Sequence, residues 1–289
     1  FRKLGINLDK VGSHIQSKFI SDKYDMQDIS YLSLFLYEKL LAVIAHTEKS
    51  QKITASFIYS FQEQETVNQI IETEEIFNAP NSEGKLYLHH QRFTLVPTQL
   101  FNASQCSKYL SFATEINEAE DNITYTGIAN NSIQVIGTAE KQLLNLLDKK
   151  LPELEITHGA SHVLDYFLSQ NQEFLNQELF IHSSPDCMYL AAFTEGKLSL
   201  FNRFIIPDEA SFLRYVFTFI QQMAFDRTHC KIRFFGNPEW LHTSKESMDI
   251  YFKNIHLITP EQNVSYLSGA ESFLNTHLLE AFWHQKIIS

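Results

Sequence analysis

One order of elements occurs twice in this chain, and it restricts the fold more than any single residue does. Residues 31–37, 40–46 and 53–61 are dense in aliphatic and aromatic side chains and are parted by short polar breaks, Glu38-Lys39 and residues 47–52. That pattern reads as a three-stranded antiparallel meander. A helix is expected directly after it: Glu63 and Glu65 suit a positive N-terminus, and Val67, Ile70, Ile71 and Phe77 fall on one face. The same sequence of patterns returns at residues 178–183, 187–194 and 197–206, with Glu195-Gly196 as a tight turn and Pro207-Asp208 opening a second helix. Tyr31 to Glu178 is a displacement of 147 positions, so two similar units in tandem are expected.

Further elements fit this frame more loosely. Residues 92–96 and 231–235 read as matching short buried strands, followed by helices near 104–115 and 239–252. A hairpin at 123–128 and 132–136, turning at Asn130-Asn131, belongs to the first half alone. Thr138 is expected to cap a helix carrying Leu143, Leu144, Leu147 and Leu151, with residues 272–283 as its counterpart. Residues 152–158 cross between the halves, a helix covers 161–172, and the first thirty residues are polar and weakly patterned. Three meandering strands, a helix, a parallel strand, a helix and a further strand make a ribonuclease H-like unit. Two in tandem give an α/β chain of the actin, sugar-kinase and heat-shock ATPase architecture. The expected lobes are 1–157, with an inserted hairpin at about 123–137, and 158–289.

A chain of 289 residues suits two domains, and 24 Phe with 12 Tyr predict an aromatic core. A net charge of −11 disfavours nucleic acid as a partner. Arg203, Arg214, Arg227 and Arg233 are spread out and read as a solvated face. Cys106, Cys187 and Cys230 form neither a disulfide framework nor a zinc knuckle. With no apolar run long enough for a membrane span and no signal pattern, the expectation is a cytoplasmic protein.

The segments Leu32-Ser-Leu-Phe-Leu-Tyr-Glu-Lys-Leu-Leu-Ala-Val43, Phe93-Thr-Leu-Val-Pro97 with Leu100-Phe101, and Gly196-Lys-Leu-Ser-Leu-Phe-Asn-Arg-Phe204 resemble a bacterial family, domain-of-unknown-function family 3822. The resemblance implies an actin-like ATPase fold. The last segment is also similar to a hairpin of the actin-like scaffolds of type IV pili and secretion systems. Active members of the actin superfamily carry D-x-G at the first hairpin turn of each lobe, where Gly admits phosphate to the backbone and Asp positions metal-bound water. Here those turns read Leu36-Tyr-Glu-Lys39 and His182-Ser-Ser-Pro-Asp-Cys187, and neither has the motif. One adenosine-side glycine remains, Gly236 in Phe234-Phe-Gly-Asn-Pro238. The first strand lacks the carboxylates that a nuclease needs.

Glu38, Lys39, Ser183, Ser184, Asp186, Gly236 and Asn237 are therefore the candidate ligand contacts, at turns expected to face an inter-lobe cleft. No catalytic residue, metal site or cofactor is assigned. His158 and His162 with Asp165 have metal-like spacing, but Gly159 between them favours a capping or surface His158 and a packed His162. His89 and His90 should diverge, and Cys187 reads as a buried strand residue. The expectation is a non-catalytic actin-like scaffold with a protein partner; the alternative is a degenerate ATP-binding protein or switch.

Overall fold

The computed structural model describes residues 15–47, 52–79, 83–170, 177–185 and 187–284. Two compact units emerge, Phe1–Ser161 with Asn263–Thr276, and His162–Gln262 with His277–Ser289.

The first unit is built on six strands: β1 (Ile15–Ile20), β2 (Ile29–Leu36), β3 (Leu40–Thr47), β4 (Ile53–Ser60), β5 (Glu83–Leu88) and β9 (Leu154–His158). Their order is β1-β4-β3-β2-β5-β9. β2, β3 and β4 pair antiparallel as the meander, and β5 and β9 extend the sheet parallel from β2. Period-two alternation sends Leu32, Leu34 and Leu36 to one face, where they meet Val67, Ile70 and Ile71 of α1 (Gln64–Thr73) and Leu143 and Leu147 of α3 (Lys141–Lys150). On the opposite face Phe35 stacks on Tyr87 of β5 with 4.7 Å between ring centroids.

The second unit repeats the topology. Strands β10 (Gln177–Ser184), β11 (Cys187–Thr194), β12 (Lys197–Ile205), β13 (Lys231–Phe235) and β14 (Ile255–Ile258) lie in the order β12-β11-β10-β13-β14. The meander is again antiparallel and the last two strands parallel. One face buries Leu179, Ile181 and Leu190 against Phe212, Val216 and Ile220 of α5 (Glu209–Gln222) and Met248 of α6 (Lys245–Tyr251). Asp208 starts α5 by accepting the Ser211 amide at 2.7 Å. The other face is aromatic: Phe180, Phe201 and Phe235 surround Phe167 of α4 (Gly159–Ser169).

The crossover between the two parallel strands distinguishes the units. In the second unit β13 reaches β14 through a 3-10 turn and α6. In the first, the path from β5 to β9 also carries β6 (Phe93–Pro97), α2 (Cys106–Ser111), β7 (Asp121–Ile128) and β8 (Ile133–Glu140), which form a separate sheet in the order β6-β8-β7.

Several sequence expectations are corrected. The partner of β13 by topology is β5, whereas residues 92–96 belong to the separate sheet. Residues 152–158 contain the last strand of the first sheet instead of a crossing segment. Part of the weakly patterned start is β1, which pairs with β4. Thr138 lies inside β8, and Glu140 is the residue preceding α3. Residues 272–283 hold two 3-10 turns, Glu271–Thr276 and Leu279–Ala281, parted by His277, whose left-handed backbone at φ of 59° interrupts a continuous helix.

Arg203 and Arg233 are buried, not solvated. Arg233 Nε donates to Glu178 Oε1 at 2.5 Å, and the Arg203 guanidinium donates to Cys187 Sγ at 3.1 Å and lies over the Tyr189 ring. For Arg233, the carboxylate of Glu178 on the neighbouring strand is the counter-charge that makes burial tolerable.

Candidate functional site

Ligands of open α/β sheets gather beyond the carboxyl ends of the strands, where the direction of winding changes. In the first unit that place is the end of β2, between antiparallel β3 and parallel β5. The turn from β2 to β3 closes with the Tyr37 amide donating to the Leu40 carbonyl at 2.8 Å, and the Lys39 carbonyl accepts the Phe61 amide at 3.2 Å. Glu38 and Lys39 are exposed on this turn, but Tyr37 is buried.

The Tyr37 ring stacks on the His89 imidazole, 4.0 Å between centroids and 18° between planes. His89 is fixed at the end of β5 by its amide, which donates to the Leu36 carbonyl at 2.8 Å. Gly159, beyond the end of β9, lies so close to that imidazole that a Cβ there would stand 2.4 Å from its atoms. At the carboxyl ends of β2, β5 and β9 the Tyr37 and His89 rings stack on each other, and the Gly159 backbone closes against the imidazole. A phosphate cradle needs the opposite, bare amides at a glycine-rich turn.

Beside this plug lies a cavity of about 240 Å³, lined by Tyr37, Glu38, His89, His90, Arg92 and Glu140 among others. That volume is below the roughly 300–1,000 Å³ of pockets holding drug-sized ligands. Arg92 is held by both oxygens of Asp121 at 2.8 and 2.7 Å, and two carboxylates line the same walls.

His90 and His158 form a neutral pair whose tautomers follow from their neighbours. His90 Nε2 faces the Thr138 carbonyl at 2.9 Å and therefore donates, which leaves Nδ1 to accept the Arg92 amide at 3.1 Å. His158 Nε2 donates to the His90 carbonyl at 3.0 Å while its Nδ1 accepts the Ala160 amide at 3.0 Å. His158 does cap α4, but it is buried rather than at the surface. His89 and His90 diverge to Tyr37 and to His158 respectively.

In the second unit the equivalent turn follows β10. Ser183 and Ser184 are fully buried strand residues, and Asp186 lies outside the described residues. The Ser183 hydroxyl points to the carbonyls of Phe235 and Asn237 at 3.2 and 3.0 Å, tying the end of β10 to the turn after β13. Gly236 sits between them with φ of 96°, and a Cβ there would stand 2.4 Å from Ser183 Oγ and 2.7 Å from its carbonyl oxygen. Asn237 caps the following 3-10 turn by accepting the Glu239 amide at 3.0 Å. Ser184 takes the other face, with its hydroxyl 2.7 Å from Cys187 Sγ. Ser183, Gly236 and Asn237 are therefore brought together, and Ser184 turns away from them.

His182, one residue before Ser183, is fully buried with neither ring nitrogen hydrogen-bonded, and burial pushes its pKa down to about 3. His162, expected to be packed, is buried with Nε2 on the Trp283 carbonyl at 3.0 Å. Among the described residues, no group of three or more His, Cys, Asp or Glu side chains is placed to hold a metal ion. Among them too, no helix is long and apolar enough to cross a membrane. Tyr37, Arg92 and Glu140 were not singled out in the sequence; the available signal was the run His89-His-Gln-Arg92 following an apolar stretch.

This double topology is that of the actin-like ATPase fold. A Bacteroides thetaiotaomicron protein of unknown function with that fold matches at a TM-score of 0.70 and 14% identity, over 86% of this chain and 96% of its own. A chain of the PilM–PilN type IV pilus biogenesis complex matches at a TM-score of 0.53 and 11% identity, over 88% of this chain and 99% of its own. At such identities the likeness concerns the fold alone. A search of the curated proteins finds no match. The model of a protein family of unknown function, DUF3822, matches residues 22–255, and the chain belongs to that family.

Proposed function

We propose that this protein is a non-catalytic actin-like scaffold that binds a protein partner. The observation carrying this reading is the stack of Tyr37 on His89, closed by the Gly159 backbone, at the strand ends where the phosphate-binding turn of an active relative would lie. In the second unit, Ser183 and Gly236 pack against each other at the corresponding place. The solved PilM–PilN complex supports partner binding as a use of this fold. A net charge of −11 favours proteins over nucleic acid.

The rival reading, a degenerate ATP-binding protein or switch, draws on Gly236, whose left-handed backbone is retained at the turn after β13. Affinity purification of the tagged chain from its native cells, with quantification of co-purified protein, tests the scaffold. A stoichiometric partner whose recovery is unchanged by Mg-ATP is expected; a chain recovered alone, or one released by Mg-ATP, would count against it.

A further inference from the structure

The separate sheet of the first unit has its own small core, in which Val96, Cys106, Leu110 and Ile136 are buried. Around that core large apolar side chains remain in solvent: Phe112 is 83% exposed, Leu100 70% and Tyr125 51%. They are linked. The Phe101 ring lies 5.1 Å from that of Tyr125 and 6.3 Å from that of Tyr109, and the Tyr109 hydroxyl donates to the Leu100 carbonyl at 2.6 Å. Phe112 follows Tyr109 by three residues at the end of α2, on the outward side. Grouped exposed aromatics of this kind mark interaction sites, whereas isolated ones do not.

The rim is acidic. Glu115, Glu118 and Glu120 are exposed on the connection from α2 to β7, Lys108 is the one cation between residues 100 and 128, and the ammonium of Lys141 is engaged by the Glu118 and Ala119 carbonyls at 2.6 and 3.2 Å. Asp121 beside them is committed to Arg92.

We infer that Leu100, Phe101, Phe112 and Tyr125 form a docking surface for a basic amphipathic segment of another protein. Apolar side chains of the segment cover the ring cluster, and its Lys or Arg residues meet the glutamate rim. The inference rests on the scaffold reading and names where the partner is held. The crossover of the second unit lacks this sheet, and the large apolar side chains that unit exposes, Ile205, Ile250, Leu257 and Ile258, include no aromatic ring.

The test uses the full chain and a phage-displayed library of random peptides, with the strongest enriched peptide synthesised for fluorescence anisotropy. Enriched peptides are expected to combine Lys or Arg with apolar residues. Leu100→Ser with Phe112→Ser should weaken binding about tenfold or more, as loss of two anchors does. Both side chains are exposed, so the variant should melt as the parent does. Glu115→Lys with Glu118→Lys should weaken binding several-fold at low salt and less at high salt.

Neutral or acidic enriched peptides, no enrichment, or binding indifferent to the apolar pair would overturn the inference. So would a dimer in sedimentation that Phe112→Ser converts to monomer, because the occupant would then be a second copy. Stabilisation by Mg-ATP would sink the scaffold reading instead, so the two failures are distinguishable.

Discussion

The Tyr37 ring lies flat on the His89 imidazole, with 4.0 Å between their centroids. The turn between β2 and β3 is thereby built as part of a core. Tyr37→Ala removes a buried ring and leaves a cavity, so a loss of about 3 kcal/mol is expected in urea unfolding. Tyr37→Phe keeps the stack and should cost under about 1.5 kcal/mol. Equal losses in the two variants would contradict a packing role for the ring.

Gly236 and Ser183 make the matching closure in the second unit. Gly236→Ala must adopt φ of 96° and push its Cβ onto the Ser183 backbone oxygen, which cannot rotate away. The left-handed strain alone is worth about 1–2 kcal/mol, and the clash adds to it. A drop of about 2–4 kcal/mol is expected by chemical denaturation; an unchanged midpoint would show that the turn is not fixed as described.

Glu178 and Arg233 form a buried pair at 2.5 Å across two parallel strands. Glu178→Gln leaves the guanidinium without its counter-charge and should cost about 3–5 kcal/mol, whereas Glu178→Leu with Arg233→Met should cost far less. A double-mutant cycle measures the difference. Additive losses would contradict a direct pair.

His182 gives the second unit a pH dependence. Its folded pKa is about 3 against the ordinary 6.5 of a histidine, so below 6.5 the unfolded chain binds a proton that the folded chain does not. Stability is full above pH 6.5 and falls as the pH drops toward 3. His284, lowered to about 4 by burial, acts in the same direction. His182→Phe keeps a ring near Tyr189, which now stacks on the imidazole, and removes the proton site. The variant should be more stable than the parent by about 2 kcal/mol at pH 5, beyond any difference at pH 8. Parallel melting curves across this range would exclude His182 as the source.

What the sequence disclosed depended on whether neighbours in sequence carried the signal. The meander strands β2, β3, β4 and β11 are mostly apolar runs beside short turns, so their burial is written locally, whereas β10 and β12 mix polar residues into the pattern. Nor is β5 such a run: Glu83 and Lys85 interrupt it, because Lys85 pairs with Glu155 of β9 at 2.9 Å, a partner 70 positions away. Exposed β14 offers only Ile255 to the core. Arg203 and Arg233 read as surface residues for the same reason, since the groups that meet them come from other strands. At the site, the missing D-x-G motif was visible directly. That Tyr37 fills the place with His89 was not, because the stack joins two strand ends 52 positions apart.

The most direct test of the central claim is a thermal-shift titration of the full chain with Mg-ATP. With the strand ends of both units packed by side chains, no saturable rise in melting temperature is expected up to about 5 mM nucleotide. A ligand at a hundred times its dissociation constant stabilises by about 2.7 kcal/mol, so a saturating rise at sub-millimolar Mg-ATP would contradict a scaffold that does not use nucleotide.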